Sequence, residues 1–307
     1  MTTACLNTLL ARPRPVLIDG ATGTELLRRG IRTELPLWSA HALADRKGLE
    51  ALTEIHADYA RAGAEVLVTN TFRTNHRTLR RAGRAEAWTD LNRRAVEVAR
   101  EGASKAGSPR ALVAGGLAPL EDCYLPELAP EEETCYREHH RQAALLARLD
   151  VDLIFVETMN SAREARAALR AAVETGLDVL ISLCPKPPAH LLSGEALEDV
   201  VSGLISLGGE SLKGVLLNCA TPDVMDVCYP KLIELAGGSP HGLYPHMGQP
   251  DDEVGWKLPE EGEPRPFAQR FLPWLDEGAR FVGGCCGTTP RHIEVLKQSI
   301  DSLRAPT

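Results

Sequence analysis

The chain alternates between two hydrophobic periods. Short apolar runs of strand length, "VLIDGA" (16–21), "EVLVTNTF" (65–72), "ALVAGGLAP" (111–119), "VDLIFVETM" (151–159), "DVLISLCP" (178–185), "GVLLNCATP" (214–222), "HGLYPHMG" (241–248) and "ARFVGGCCG" (279–287), recur along the 307 residues. Between them lie amphipathic stretches such as "SAREARAALRAAVETG" and "EALEDVVSGLISLG", whose apolar positions recur at the spacing of one helix face. Strand then helix, repeated through the whole chain, predicts an α/β fold: a (β/α)8 TIM barrel, one domain over residues 1–307. A doubly wound sheet would alternate as well, but "DGATGTEL" after the first run is not the G-x-G-x-x-G turn such sheets use to hold a dinucleotide. The stretch "GQPDDEVGWKLPEEGEPRP" (248–266) carries neither period and is expected to be a lid or insertion in the seventh unit.

In such a barrel the chemistry sits at the C-terminal ends of the strands. Polar and sulfur residues collect at those places here: Asp19 on the first run, Thr69, Asn70 and Thr71 on the second, Glu157 on the fourth, Asn218 and Cys219 on the sixth, His246 on the seventh, Cys285 and Cys286 on the eighth. Cysteines ending the sixth and eighth strands can converge at one barrel mouth without being sequence neighbours. Zn²⁺ favours thiolates in tetrahedral geometry, and three sulfurs with a fourth position open to substrate are the donor count of a catalytic site. Gly283, Gly284 and Gly287 around the cysteine pair let the backbone bend toward a single ion. The same three cysteines would also serve as ordinary buried packing, and no C-x-x-C spacing decides between the two. Cys5, Cys123, Cys135 and Cys228 fall away from the expected strand ends.

Composition narrows the partners. Apolar residues make up 44% of the chain and charged residues 25%, enough for a substantial core. A formal charge of −8 without a basic run argues against nucleic acid and anionic membranes, so a small-molecule ligand is expected. No stretch approaches the roughly 18 apolar residues of a membrane span. The start, "MTTACLNTLLARPRP", is short and weakly apolar for a secretory signal, and a cytoplasmic location is expected. Eight cysteines are too sparse in a chain of this length for a disulfide scaffold and read as reduced thiols.

"IDGATGTELLRRG", "TNTF", "ETMN", "LLNCATP" and "GGCCGTTPRHI" resemble, in order and spacing, the homocysteine S-methyltransferases over nearly the whole chain. The resemblance implies a zinc ion held by Cys219, Cys285 and Cys286, and the thiol of homocysteine as methyl acceptor, giving methionine. It also implies that Asp19 and Glu157 take the substrate ammonium and that backbone amides around Gly20 and Ala21 meet its carboxylate. Thr69, Asn70 and Asn218 are placed either to orient these groups or, as buried Asn and Thr at strand ends often do, only to satisfy backbone. Trp38, in "PLWSAHAL", resembles the tryptophan lining the donor pocket of several branches. "LWSA" is nearest the branch that uses sulfonium donors, S-methylmethionine or S-adenosylmethionine. Betaine-using relatives place aromatic residues after the second and fourth strands. Arg73 and Thr158 stand there in this chain, which disfavours betaine and suits Arg73 to a donor carboxylate. The chain stops soon after "RHIEVLKQSIDSL", so no attached folate or corrinoid domain is expected, and a separate corrinoid protein is the alternative methyl source. Where many relatives read Tyr-Pro-Asn this chain reads "YPHMG", and His246 is therefore expected to be a fourth, displaceable zinc ligand.

Overall fold

The computed structural model describes residues 5–108, 111–251, 255–257 and 263–303. Eight strands form the sheet: β1 (Val16–Leu17), β2 (Val66–Val68), β3 (Leu112–Leu117), β4 (Leu153–Met159), β5 (Asp178–Leu183), β6 (Leu212–Asn218), β7 (His241–Tyr244) and β8 (Phe281–Val282). They are hydrogen-bonded in the order β1-β8-β7-β6-β5-β4-β3-β2, every ladder parallel, and a bridge between Ile18 and Val66 brings the two ends together. This is the expected (β/α)8 barrel in a single domain.

The strands are shorter than the apolar runs that announced them. β1 and β8 pair over two residues each, although their runs reach Ala21 and Gly287. The excess lies at the C-terminal ends, where the chain stays buried under the barrel mouth but leaves the ladder to build loops. Apolar character therefore reports burial there, and pairing stops sooner.

Side chains of successive residues point to opposite faces of a strand. Ile18, Val66, Ala114, Phe155, Leu216 and Phe281 belong to one cluster inside the barrel, while Leu67, Ile154, Ile181, Val215 and Leu243 pack outward with the helices. Gly214 makes room for the interior ring of Phe281, since a Cβ there would lie 2.5 Å from it. Leu6 and Leu9 of the helix Leu6–Leu10 join the interior cluster and floor the barrel beneath the strands.

Helices that follow the chemically important loops are firmly started. Thr221 accepts the Val224 N–H at 3.4 Å and caps the helix Pro222–Ala236, and Thr289 with His292 forms a reciprocal capping box for Pro290–Ser302. Both helices carry proline at their first position, where a missing N–H costs nothing. Because each cap comes two or three residues after a cysteine of interest, it fixes the direction in which that loop leaves the mouth.

Part of the 248–266 stretch is ordered as a small hairpin. Gln249–Asp251 pairs antiparallel with Gly255–Lys257, and Trp256, 2% exposed, donates its indole N–H to the Met247 carbonyl at 2.9 Å. Its last residues, 264–266, already belong to the helix Pro264–Asp276. Residues 252–254 and 258–262 of the expected lid lie outside the described residues. No helix among the described residues is long and apolar enough to cross a membrane.

The interior packing makes a direct prediction. Phe281→Ala, at a fully buried position shared with Ile18, Leu216 and the gap above Gly214, is expected to cost about 3–5 kcal/mol. Urea unfolding followed by circular dichroism should show a clearly lower midpoint, and an unchanged midpoint would contradict the packing described.

Candidate metal centre and substrate pocket

Three sulfurs are brought together by two loops. β6 ends at Asn218, and Cys219 takes a left-handed backbone conformation, φ 54°. Such a conformation is costly for a residue with a Cβ and persists where surrounding structure enforces it. After β8 the loop is stitched on both sides: Gly284 N–H donates to the Asp19 carbonyl at 3.1 Å, Cys285 N–H to Pro245 at 2.9 Å, and Met247 N–H to the Cys286 carbonyl at 2.7 Å. At Gly287, φ is 82° and a Cβ would lie 2.0 Å from the Met247 carbonyl oxygen, so glycine is required there.

The outcome is that the Sγ atoms of Cys219, Cys285 and Cys286 all lie within 4.8 Å of one another. In a tetrahedral site with zinc–sulfur bonds of about 2.3 Å, the sulfurs stand about 3.8 Å apart. Small side-chain adjustments separate the two geometries, and the donor set fits a thiophilic divalent ion. Hydrogen bonds from Cys219 and then Cys286 hold the Cys285 thiol well below its usual range, while the contact with Cys285 pushes Cys219 up. The Tyr124 hydroxyl lies 3.0 Å from Cys219 Sγ, and Asn218 Nδ2 donates to Thr158 Oγ1 at 2.7 Å.

Two carboxyl groups face the same space. Asp19 is buried, accepts the Val68 N–H at 2.9 Å, and is driven well above the usual carboxylate range by desolvation. Glu157 sits where the β4–β5 register shifts between Val156 and Met159, beside Thr158 with φ 62°. Gly116 of β3 leaves the room it needs, because a Cβ there would approach Glu157 Oε1 to 2.8 Å. Among the described residues no side chain pairs with the Glu157 carboxylate. Burial first, then Cys285 and Asp19, raise its pKa well above the ordinary value. A ligand cation placed between these acids would relieve both.

The cavity that joins these groups has a volume of about 270 Å³. Of the expected residues, Asp19, Gly20, Ala21, Trp38, Asn70 and Glu157 line it together with the three cysteines and Thr158, whereas Asn218 is not part of the wall. Trp38, with φ 44°, packs edge-on against Phe72 at 5.8 Å between centroids. Asn70 donates to the Ser39 carbonyl at 2.9 Å and so anchors the segment carrying Trp38. The Ala21 N–H already donates to Thr288 Oγ1 at 3.2 Å, so of the two amides expected to meet a carboxylate this one is engaged.

His246 is not brought into the sulfur cluster. Its ring packs edge-on against Trp256 at 4.9 Å, its Nδ1 is buried without a partner, and only its backbone contributes, through N–H to the Ala220 carbonyl at 3.0 Å. The set of close ligand atoms contains the three sulfurs alone. An indole in the adjoining hairpin is the aromatic neighbour of the imidazole, whose pKa burial lowers and the nearby Cys285 raises.

Several lining residues went unnoticed in the sequence. Phe72, Tyr124 and Trp256 supply aromatic surface that the positions of Arg73 and Thr158 alone did not suggest, and Cys123, read as lying away from the site, is also in the wall. Burial pushes the Cys123 thiol up to about 12, so it is an inert neutral group there. The signals were faint: a lone tyrosine in "EDCYLPEL" just past β3, and a lone tryptophan within an otherwise polar insertion.

Comparison with known proteins gives a consistent result. A profile of the homocysteine S-methyltransferase family matches residues 16–300. The homocysteine S-methyltransferase of Escherichia coli (strain K12) is 32% identical over 307 aligned positions, covering 95% of this chain and 97% of that protein. The metallated crystal form of the homocysteine methyltransferase MmuM from Escherichia coli superposes with a TM-score of 0.81 at 30% identity, over 96% of this chain and 99% of that one. The methionine synthase of Mycobacterium tuberculosis is 28% identical over 95% of this chain, which spans 25% of that protein.

The sulfur geometry predicts metal binding that depends on each member of the trio. Purified protein supplied with Zn²⁺ should retain about one ion per chain. Cys219→Ala, Cys285→Ala and Cys286→Ala should each lose it, whereas Cys5→Ser should not. Elemental analysis after dialysis reads the result, and full zinc content in any of the three alanine variants would refute the site.

Proposed function

The chain belongs to the homocysteine S-methyltransferase family and transfers methyl groups to homocysteine, and we propose that its donor is a small sulfonium compound, S-methylmethionine or S-adenosylmethionine, and its metal zinc. The observation that carries this reading is the unpaired Glu157 carboxylate, set with Asp19 in the cavity that also holds the three sulfurs. An amino acid bearing a thiol matches that arrangement at both ends.

Cys219, Cys285 and Cys286 would hold the ion, whose contribution is to keep the acceptor thiol deprotonated at neutral pH, where a free thiol with a pKa of about 8.5 is mostly protonated. Glu157 and Asp19 receive the ammonium of homocysteine and fix the direction of its side chain. Tyr124, by its contact with Cys219 Sγ, holds that sulfur in place. Trp38, Phe72 and Trp256 exclude water from the space beside the sulfurs and present ring faces and edges to a methyl-bearing cation. In the transfer the acceptor sulfur forms a bond to the methyl carbon as the donor S–CH₃ bond breaks, its electron pair returning to the donor sulfur. The donor leaves as a neutral thioether.

A cytoplasmic location suits this chemistry. All eight cysteines are free, and three of them lie close enough together to oxidise outside a reducing compartment. A second reading, methyl delivery by a separate corrinoid protein, is favoured by the match to a methionine synthase.

Two outcomes test the reading. With homocysteine and S-methylmethionine the zinc-supplied protein should form methionine without any corrinoid protein; methionine formed only when a methylcorrinoid protein is added would reverse the choice of donor. Glu157→Gln should raise the KM for homocysteine about tenfold to a hundredfold while zinc content is unchanged, the loss expected for one charged hydrogen-bonding partner. An unaltered KM would remove Glu157 from the acceptor site.

A further inference from the structure

Two more charged side chains line the cavity, Arg73 on the loop after β2 and Asp122 on the loop after β3, and the acceptor site uses neither. Among the described residues no ion pair joins either of them to another side chain. The nearby buried acid, Glu121, is spent elsewhere: it pairs with Arg77 at 3.1 Å and with Arg81. Arg73 receives only the Glu121 backbone carbonyl, 3.1 Å from its Nη1, and rests with its guanidinium carbon 5.6 Å from the centroid of Phe72. Its Nε is buried and has no partner. Asp122 is equally well fixed, accepting the Tyr124 N–H at 2.8 Å, with its own carbonyl taking Asn160 Nδ2 at 3.4 Å. Through Tyr124, whose hydroxyl touches Cys219 Sγ, the turn carrying Asp122 is tied to the sulfur trio.

A fixed, unneutralised guanidinium in a cavity that admits a cationic methyl donor would repel a bare cation. The repulsion turns into attraction when the donor carries its own carboxylate, which the planar fork of arginine is shaped to receive. A carboxylate such as Asp122 in the same wall calls in turn for a second positive group on that molecule. We propose that Arg73 and Asp122 form a zwitterion site selecting sulfonium donors with a free α-amino-acid head, the carboxylate on Arg73 and the ammonium on Asp122. The inference rests on the sulfonium reading above and goes further by naming the part of the donor that is recognised. Betaine has the carboxylate but leaves Asp122 unpaired. A simple trialkylsulfonium leaves both side chains unpaired and faces the arginine directly.

Calorimetric titration of the zinc-supplied protein with S-methylmethionine and, separately, with trimethylsulfonium provides the test, with KM values for homocysteine measured alongside. Arg73→Gln and Asp122→Asn should each weaken S-methylmethionine binding about tenfold or more, as expected on losing a charged hydrogen-bond partner. Arg73→Lys should recover part of the loss. Trimethylsulfonium should not bind more weakly to Arg73→Gln than to the unaltered protein, and the KM for homocysteine should hold. Unchanged S-methylmethionine affinity in Arg73→Gln, a rise in the homocysteine KM instead, or no S-methylmethionine binding by the unaltered protein would overturn the proposal. Arg73-dependent binding of S-methylmethionine without methionine formation would leave this site standing and remove the sulfonium reaction.

Discussion

Holding three thiol sulfurs within 4.8 Å of one another is the constraint on which the rest of the mouth depends. β7 lies between β6 and β8, so Cys219 and the Cys285–Cys286 pair have to meet across an intervening strand. The main chain of residues 245–247 makes that possible. His246 N–H reaches back to Ala220, the Pro245 carbonyl takes Cys285 N–H, and Met247 N–H reaches forward to the Cys286 carbonyl. Three backbone bonds on one short loop thus set the spacing of the two sulfur-bearing loops, and the helices capped by Thr221 and Thr289 hold their far ends. In a buried setting such bonds are worth most when all are made together.

Among the described residues, three of the four non-glycine residues with positive φ, Trp38, Thr158 and Cys219, line this cavity. Each is held by neighbours that also shape the site. Thr158 donates its N–H to Ser182 Oγ at 3.1 Å and accepts from Asn218, while Asn70 secures the carbonyl next to Trp38. Backbone strain is concentrated where side chains must be aimed at a ligand, and neighbouring polar side chains hold the strained conformations in place.

The barrel and its sulfur site were legible in the sequence because both depend on local regularities. Eight apolar runs mark eight buried strands, and residues at the ends of parallel strands in a closed ring must share one mouth, whatever their separation along the chain. That rule places Asp19, Glu157, Cys219, Cys285 and Cys286 together. It says nothing about loops. Tyr124 and Trp256 reach the cavity through a turn and a hairpin whose paths depend on tertiary contacts, and Phe72 does so one position before Arg73. His246 is a different case: its chemistry made it a credible ligand, and in the structure its ring lies against a neighbouring indole outside the close trio of sulfurs. Arg73 suits a donor carboxylate by its residue type, yet its availability depends on Glu121 being paired with Arg77 and Arg81, which is a property of packing.

The helix Leu6–Leu10 has a consequence for traffic. With Leu6 and Leu9 packed into the interior cluster, the base of the barrel is filled by apolar side chains, and the cavity lies at the opposite end, under the loops that follow the strands. Glu157 lies inward beside Gly116, whereas Leu35 and Leu125, also in the cavity wall, are 38% and 45% exposed at the rim. A molecule seated against Glu157 therefore sits behind any molecule held nearer the rim. For two such molecules to be bound together, the inner one would have to enter before the outer one and leave after it, an order set by the shape of the cavity and not by affinity.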